Sequence, residues 1–352
     1  MKPYPAIVIG AGGYVGGEFL RLIEGHPQLE LAGAVSDSAT GQPIASVFPQ
    51  YRSVGHTHQF ISTETALEQL ADHRQIALFS AAPHGGAAGT LARFIHTAEA
   101  VGCQLHIVDA SADFRYASAE AYEAVYGSPH AAPELLGAFS SAVPEHLAET
   151  TTAHVGHPGC FATAMQLGLV PLLKADCSDD QVFANGITGA TGAGKTPIAT
   201  THHPERHSNL FAYKSLSHRH APEVLNHVNA ATGKSVRLHF TPHSGPFSRG
   251  IHMTLNARNT NGISADQLRE QFANYYDTAA FVQVVDGMPR LKNVIASNYA
   301  EIGIETDGEA IAICIVIDNL MKGAAGGCVQ WMNRLLDFDE TSGLTAAAPG
   351  WT

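Results

Sequence analysis

A glycine-rich turn lies between an apolar run and an amphipathic run near the start of the chain, and few folds accommodate this order. Ala6 to Ile9 are typical of a buried strand, and Glu18 to Glu24 have the apolar spacing of a helix. Residues 10–17 between them read GAGGYVGG and contain the pattern G-x-G-x-x-V. Glycine lets the backbone turn tightly and approach a pyrophosphate, which then rests on the helix N-terminal amides. The pattern predicts a dinucleotide site, and the alternative is a tight turn without a ligand.

Strand-like and helix-like runs continue to alternate over the first 150 residues or so. The further strand-like runs are Leu29–Val35, Ile76–Phe79 and Leu105–Val108, and the helix-like run is Leu91–Val101. This alternation predicts an α/β fold whose N-terminal domain, residues 1–155, has a Rossmann-type, doubly wound parallel sheet. Later apolar runs alternate with polar residues, which indicates a sheet with one solvated or interfacial face. We therefore expect an α+β domain at residues 156–318. A C-terminal helix and tail at 319–352 would return to the first domain.

Composition excludes several functional classes. Of the 352 residues, 45% are apolar and 15% are charged, which is typical of globular proteins. A formal net charge of -12 disfavours nucleic-acid binding because phosphates would be repelled. Five cysteines without a CxxC pair favour a reducing compartment. We see no signal peptide or membrane span, and we expect a cytoplasmic protein without nucleic-acid or membrane partners.

Residues 189–196, GATGAGKT, match the phosphate-binding pattern G-x-x-x-x-G-K-T in full. Such a loop must open a helix whose N-terminus holds the phosphates. Here Pro197 and Pro204 interrupt a polar run without helical apolar spacing. A P-loop phosphotransferase is thus the rival interpretation, and a glycine-rich loop at an active site, where Lys195 meets an anion, is the favoured one.

Cys160 directly precedes the helix-like run Ala162–Leu173. The positive end of the helix dipole would stabilise its thiolate and make it nucleophilic. From spacing alone, an inert buried thiol is an equally good interpretation. The inert interpretation is our expectation for the other four cysteines, which are Cys103, Cys177, Cys314 and Cys328.

Five histidines lie in the segment 202–220. His218 and His220 flank Arg219, and this triplet indicates an acid/base group beside a cation that binds carboxylate or phosphate. A zinc site is the alternative, but His202 and His203 are adjacent, and the sequence predicts no helix that would present an H-x-x-x-H pair, so we predict no metal.

Taken together, the motifs resemble those of the N-acetyl-gamma-glutamyl-phosphate reductase family, which is related to the aspartate-semialdehyde dehydrogenases. The resemblance covers nearly the whole chain. The motifs are GAGGYVG at 10–16, DASADFR at 109–115, PGCFATA at 158–164, TGATGAGK at 188–195, HRHAPEV at 218–224, FTPH at 240–243, SRGI at 248–251 and DNLMKGAAG at 318–326. The sequence departs from the family pattern at Phe161-Ala162, where Tyr-Pro is usual, at His157, where Asn is frequent, and at Lys195, where arginine is usual.

The resemblance implies a role for each matching residue. Cys160 would be the nucleophile, His218 the acid/base, and Tyr213 a substrate contact. The second domain would be the catalytic and dimerisation domain, in a homodimer or homotetramer. Lys195 and Arg249 are our candidates for the leaving phosphate, with Arg115 and Arg219 for a substrate carboxylate or structural pairing.

The resemblance also implies that the cofactor is NADP. The residues that would contact the cofactor are Gly10, Gly12, Gly13, Tyr14, Val15, Ser36, Ser38, Ala81, Pro83, Gly192 and Asn319. Asp37 argues the other way, because an acidic residue after the second strand favours the free ribose hydroxyl of NAD.

The predicted reaction is the reduction of N-acetyl-gamma-glutamyl phosphate, a small-molecule acyl phosphate, to the 5-semialdehyde and phosphate. This is a step of arginine biosynthesis, and it would pass through a thioester on Cys160 that accepts hydride, with His218 as proton donor. The alternatives are the same chemistry on a carrier-linked aminoadipyl or glutamyl phosphate of lysine biosynthesis or on aspartyl phosphate, and a non-catalytic dinucleotide sensor.

Overall fold

The computed structural model describes residues 3–54 and 58–351. The chain divides into two compact units. Unit 1 comprises Met1–Ser141, Glu149–His157 and Cys328–Leu344, and unit 2 comprises Ala142–Ala148, Pro158–Gly327 and Thr345–Thr352. In the described ranges, no helix is both long enough and apolar enough to cross a bilayer.

Unit 1 is built on a seven-stranded sheet in which every pairing is parallel. Its strands are β1 (Tyr4–Ile9), β2 (Leu29–Val35), β3 (Phe60–Ile61), β4 (Gln75–Ser80), β5 (Gln104–Asp109), β6 (Phe139–Ser140) and β7 (His154–Gly156). Their order is β3-β2-β1-β4-β5-β7-β6. The helices are α1 (Tyr14–Glu24), α2 (Ile44–Val47), α3 (Thr63–Glu68), α4 (Ala87–Val101) and α5 (Ala119–Tyr126). The predicted doubly wound parallel sheet is confirmed.

The burial of strand β1 explains why an apolar run forms a strand at this position. Ala6, Ile7 and Val8 are fully buried, as expected for a strand with neighbours on both sides and helices over the sheet. Helix α1 directs Phe19 and Leu20 into the core. Strands β2 and β3 lie on one side of β1, and β4 and β5 lie on the other, so the strand order reverses between β1 and β4. Open parallel sheets bind ligands at this point.

Unit 2 contains a second seven-stranded sheet, in which parallel and antiparallel pairings are mixed. Its strands are β8 (Ser178–Thr188), β9 (Phe211–Ala212), β10 (Arg237–Ser244), β11 (Ile251–Asn259), β12 (Val282–Val284), β13 (Ala300–Thr306) and β14 (Ala310–Ile317), in the order β12-β13-β14-β11-β8-β10-β9. The helices are α6 (Cys160–Ala175), α7 (His203–Arg206), α8 (His220–Thr232) and α9 (Ala265–Tyr275). A π-helical turn (Met321–Ala325) leads into α10 (Gly326–Leu335).

Helix α6 forms the centre of the unit 2 core. Every residue from Phe161 to Leu173 is buried, so this helix is enclosed on all sides. One face of the sheet packs against it through residues such as Leu255 and Ile315. On the other face, Phe183 is 50% exposed and stacks on His239.

The C-terminal tail is packed up to Leu344, although its small and polar composition after Asp337 favours a frayed end. Asn333 donates hydrogen bonds to the carbonyl oxygens of Glu340 and Ser342, and Leu344 is 1% exposed. The buried side chains of Leu344 and Asn333 hold this small and polar segment in place, so the tail up to Leu344 is packed within unit 1.

Candidate active site

The glycine turn of unit 1 lies at the carboxyl end of β1 and leads into α1. Gly10 has φ +71, and a Cβ there would lie 2.5 Å from the carbonyl oxygen of Ala81, so only glycine fits without a shift. Gly13 caps α1 without a side-chain hydrogen bond. No capping side chain therefore occupies the first backbone N–H groups of the helix, which are the groups that bind phosphate at a helix N-terminus. Tyr14 is 38% exposed and Val15 is half-buried beside it. The turn fits a pyrophosphate.

The loop after β4 lies against this turn. The backbone N–H of Ala81 donates to the carbonyl oxygen of Ile9 at 2.9 Å, and Pro83 is exposed two residues later. The predicted residues Gly10, Ala81 and Pro83 thus come from two adjacent strands at the same sheet edge. This is the edge where the strand order reverses.

Ser36, Asp37 and Ser38 follow β2, the other neighbour of β1. A Cβ on Gly12 would lie 3.0 Å from Ser36 Oγ, so the hydroxyl of Ser36 faces the glycine turn. The Asp37 carboxylate accepts hydrogen bonds from both the backbone N–H and the hydroxyl of Thr63, each at 2.8 Å. Both carboxylate oxygens of Asp37 are therefore engaged at the start of α3.

Arg115 is buried at 4% exposure in unit 1. Its Nε donates to the carbonyl oxygen of His157 at 2.8 Å, and its Nη2 donates to that of Ala110 at 2.9 Å. Of the two roles that we considered, these contacts favour structural pairing over substrate binding. The hydrogen bond to His157 holds the backbone in place directly before the Pro158–Cys160 segment.

Cys160 is the first residue of α6, and Gly159 caps the helix without a side-chain hydrogen bond. The thiol is partly exposed, whereas Cys103, Cys177, Cys314 and Cys328 are buried. Burial raises the pKa of each of these four thiols, which keeps them protonated and unreactive. Position and exposure therefore distinguish Cys160 as the candidate nucleophile.

His218 and Tyr213 lie in the same part of unit 2. Phe161, the residue after Cys160, meets the His218 ring edge-on at 5.8 Å, and Tyr213 meets it at 5.8 Å. Burial, followed by the charges of Arg219 and Lys214, lowers the pKa of His218 to about 4. Burial first, and then the thiol of Cys160, raises the pKa of Tyr213. Both rings are therefore uncharged at neutral pH.

Cys160 is held in position by two residues that were not among our predictions. Glu223 of α8 is fully buried, and its Oε1 accepts a hydrogen bond at 2.7 Å from the backbone N–H of Gly159. A Cβ on Gly323 would lie 2.8 Å from the Cβ of Cys160, so the π-helical turn packs directly on the cysteine. Both belong to motifs of the family resemblance, but nothing in their spacing indicates these contacts.

Asn319 and Gly192 are neighbours in unit 2. The Oδ1 of Asn319 accepts from the backbone N–H of Gly250 at 2.7 Å, and its Nδ2 donates to Thr191 Oγ1 at 3.0 Å. A Cβ on Gly192 would lie 3.9 Å from that Nδ2. The amide of Asn319 thus fixes the glycine-rich loop, and whether it also contacts a cofactor stays a prediction.

Arg249, which we predicted as a contact of the leaving phosphate, is engaged by a carboxylate of the protein. It forms a two-point ion pair with Asp318, with Nε to Oδ2 at 2.9 Å and Nη2 to Oδ1 at 3.1 Å. Asp318 is fully buried and also accepts from the backbone N–H groups of Ala296, Leu320 and Met321. A buried carboxylate needs a cation, and Arg249 supplies it.

The loop 189–196 lacks the features of a P-loop. After β8 it forms a short 3-10 turn (Ala190–Ala193), Gly194 has φ +84, and the next α-helix, α7, has four residues. No long helix N-terminus is presented to a triphosphate. Lys195 is exposed in this loop, and Arg219 is partly buried at the start of α8. Within the described ranges, no group of three or more His, Cys, Asp or Glu side chains could hold a metal ion.

Two family models match the chain. Residues 5–138 match the semialdehyde dehydrogenase, NAD binding domain, and residues 160–319 match the semialdehyde dehydrogenase, dimerisation domain. Aspartate semialdehyde dehydrogenase II from Vibrio cholerae, in complex with ASA, has a similar fold, with a TM-score of 0.69 at 16% identity over 96% of this chain and 99% of that one.

Closer sequence relatives specify the family further. The N-acetyl-gamma-glutamyl-phosphate reductase of Magnetococcus marinus is 37% identical and that of Herminiimonas arsenicoxydans is 36% identical, and each alignment covers 96% of both chains. The resemblance inferred from the motifs is confirmed. The chain belongs to the N-acetyl-gamma-glutamyl-phosphate reductase family of oxidoreductases, within the semialdehyde dehydrogenases.

Proposed function

We propose that this protein reduces N-acetyl-gamma-glutamyl phosphate to N-acetylglutamate 5-semialdehyde and phosphate, through a thioester on Cys160, with NADPH as the reductant. The observation that carries the chemistry is the partly exposed Cys160 at the N-terminus of α6, in the same part of unit 2 as His218 and Tyr213. The choice of substrate is supported by relatives named N-acetyl-gamma-glutamyl-phosphate reductase, which are 36–37% identical over nearly the full length.

The first step is attack by the Cys160 thiolate on the acyl carbon. A carbon–sulfur bond forms, the carbon–oxygen bond to phosphate breaks, and the released phosphate takes up a proton. The dipole of α6 stabilises the thiolate, and Glu223 holds the backbone of Gly159 in place before it. The local positive charge of Arg219 and Lys214 favours an anionic substrate.

His218 acts in the second step through Nε2. Its Nδ1 accepts a hydrogen bond from the backbone N–H of His220 at 3.2 Å, so the neutral ring carries its proton on Nε2. When hydride adds to the thioester, negative charge develops on the carbonyl oxygen. Nε2–H donates to that oxygen and recovers the proton as the carbon–sulfur bond breaks, which releases the aldehyde and the Cys160 thiolate.

The glycine turn of unit 1 fits the dinucleotide that this reaction requires, because it leads directly into the N-terminus of α1, where no side chain caps the first amides. A bound nicotinamide dinucleotide supplies the hydride. We favour NADP over NAD because both oxygens of Asp37 are engaged by Thr63, while Ser36 faces the turn. Ser36 and Ser38 would then hold the 2′-phosphate, and a preference for NAD in steady-state assays would contradict this assignment.

The assembly that we propose is a homodimer formed by unit 2. Residues 160–319 match a dimerisation domain, and Phe183 is half exposed on the outer sheet face. Burial of such an apolar residue against a second copy removes it from water. Light scattering on the purified protein should give twice the chain mass, and a monomer would contradict the proposal.

The reverse reaction tests the function directly. The wild-type protein should form NADPH from NADP, N-acetylglutamate semialdehyde and inorganic phosphate, and Cys160→Ser should abolish this turnover. Cys314→Ser is the matched control, since Cys314 is buried beside Thr254 in the same unit and should retain activity. Near-normal turnover of Cys160→Ser would refute the thioester mechanism.

A further inference from the structure

The segment from Ser208 to His218 contains an unusual concentration of left-handed backbone. Ser208, Lys214 and Leu216 have φ of +57, +46 and +58, although none is glycine. Non-glycine residues rarely adopt this conformation, and they cluster at functional sites, where the surrounding structure imposes it. In the sequence, Lys214 directly follows Tyr213 and precedes His218 by four residues, and these are the two rings that we place beside Cys160.

Backbone hydrogen bonds hold Lys214 in this conformation. The N–H groups of Tyr213 and Leu216 donate to the carbonyl oxygens of Pro242 and Phe240 on β10, at 3.1 and 2.9 Å. The N–H of Ser217 donates to the carbonyl oxygen of Lys214 at 3.1 Å and closes the turn. The position from which the Lys214 side chain departs is therefore fixed before any ligand arrives.

The cation of Lys214 is not paired in the way that the cations of Arg249 and Lys322 are. Arg249 is paired with Asp318 and Lys322 with Glu145, whereas the exposed Lys214 side chain forms no hydrogen bond or ion pair with any residue that the structure describes. The charges that act on the His218 ring are those of Arg219 and Lys214, and both are positive. A cation that departs from a fixed backbone position and has no protein counter-ion suits an anionic ligand.

We propose that Lys214 is a substrate-binding residue whose ammonium group binds an oxyanion of the acyl phosphate, either its phosphoryl group or its α-carboxylate. This inference rests on the proposed function, because it assigns a contact within the same site. It adds to the candidate cations for the substrate a residue that motif spacing did not single out.

The test is kinetic and uses the reverse reaction, in which phosphate and semialdehyde are varied separately. Lys214→Asn removes the charge but keeps a residue that tolerates the left-handed conformation. We expect the KM for one of the two substrates to rise about tenfold, equivalent to about 1.4 kcal/mol of lost binding, with a smaller change in kcat. A rise for phosphate assigns the phosphoryl group, and a rise for the semialdehyde assigns the carboxylate.

Three control variants separate charge from strain. Lys214→Arg should restore most of the binding, Ser208→Gly relieves left-handed strain without a change of charge, and Lys292→Met removes an exposed lysine elsewhere in unit 2. The last two should leave both KM values within twofold of wild type. If Lys214→Asn also leaves both KM values within twofold, the proposal is wrong.

A binding measurement keeps this proposal separate from the proposed function. Inorganic phosphate and the semialdehyde should each be tested for protection of Cys160 against alkylation by iodoacetamide. If the wild-type protein shows no turnover, the proposed function fails, but loss of protection by either compound in Lys214→Asn would still support the anion contact. Unchanged protection by both would overturn it.

Discussion

Replacement of Lys322 by methionine should be among the most damaging single changes in unit 2. Lys322 is fully buried and the side chain of Glu145 is 2% exposed, and Lys322 Nζ lies 2.5 Å from Glu145 Oε1. Methionine has similar length and no charge, so the variant fills the space but leaves a buried carboxylate without its cation.

The magnitude follows from the burial of both partners. Removal of one member of a buried ion pair costs about 3–5 kcal/mol, because the remaining charge stays desolvated. Removal of both charges together costs much less, since a neutral pair carries no such penalty. The double variant Lys322→Met, Glu145→Gln should therefore recover most of the stability lost in the single variant.

His146 makes the loss depend on pH. Burial lowers its pKa to about 4, while Glu145 raises that pKa and Lys322 lowers it. Without Lys322, the pKa of His146 moves up towards its ordinary value near 6.5. As the pH falls, His146 takes up a proton, and its positive charge then partly neutralises the buried carboxylate of Glu145. The stability difference between wild type and Lys322→Met should therefore be largest above pH 7 and smaller near pH 5.

Guanidinium unfolding followed by circular dichroism, at pH 8 and at pH 5.5, measures both effects. The expected result at pH 8 is a loss of about 3 kcal/mol or more in the free energy of unfolding, which is largely recovered in the double variant. A loss under about 1 kcal/mol would refute the assignment of a buried ion pair. A loss that is equal at the two pH values would refute the role of His146.

Two further predictions concern the cysteine and the pH dependence of stability. Gly323→Ala should lower kcat by about tenfold or more, because its Cβ would displace Cys160, and Gly137→Ala, where a Cβ meets nothing within 4 Å, is the control; steady-state kinetics of both variants decides. The pKa values of His146, His154 and His218 are lowered to about 4, so unfolding takes up protons between about pH 6.5 and 4 and stability falls as the pH falls. The pKa of Asp109 is raised to about 6, so below that pH this residue releases about one proton on unfolding and offsets part of the uptake by the histidines. Unfolding free energies that are constant between pH 6.5 and 5 would contradict the prediction.

Most of the fold could be predicted because burial dictates the sequence pattern. Leu29–Val35 and Ala310–Ile317 are apolar runs, and the strands β2 and β14 have those same bounds. Helix α9 was not predicted although Ser264 and Gln267 form a capping box, because its burial rests on two apolar residues, Leu268 and Phe272. Strand β13 was missed because Gly303 interrupts its apolar run.

The candidate site was predictable where a local pattern determines the chemistry. The glycine turn before α1 and Cys160 at the start of α6 are both set by neighbours in sequence. Glu223 and Gly323 act on Cys160 from 63 and 163 residues away, so only the folded chain brings them there. A local pattern carries no information about such contacts.

The roles of the cations are the hardest to derive from sequence, and the reason is electrostatic. Charge alone makes Arg249 and Lys214 equally suitable for a substrate phosphate. In the fold, Asp318 is buried and must be neutralised, so it takes Arg249, while Lys214 stays exposed four residues before His218 in the sequence. The distribution of buried carboxylates thus determines which cations remain for the ligand. The same rule explains why Lys322, within a motif of the resemblance, pairs with Glu145 instead of meeting substrate. In this chain, a cation should be assigned to substrate only after the buried acids have been paired.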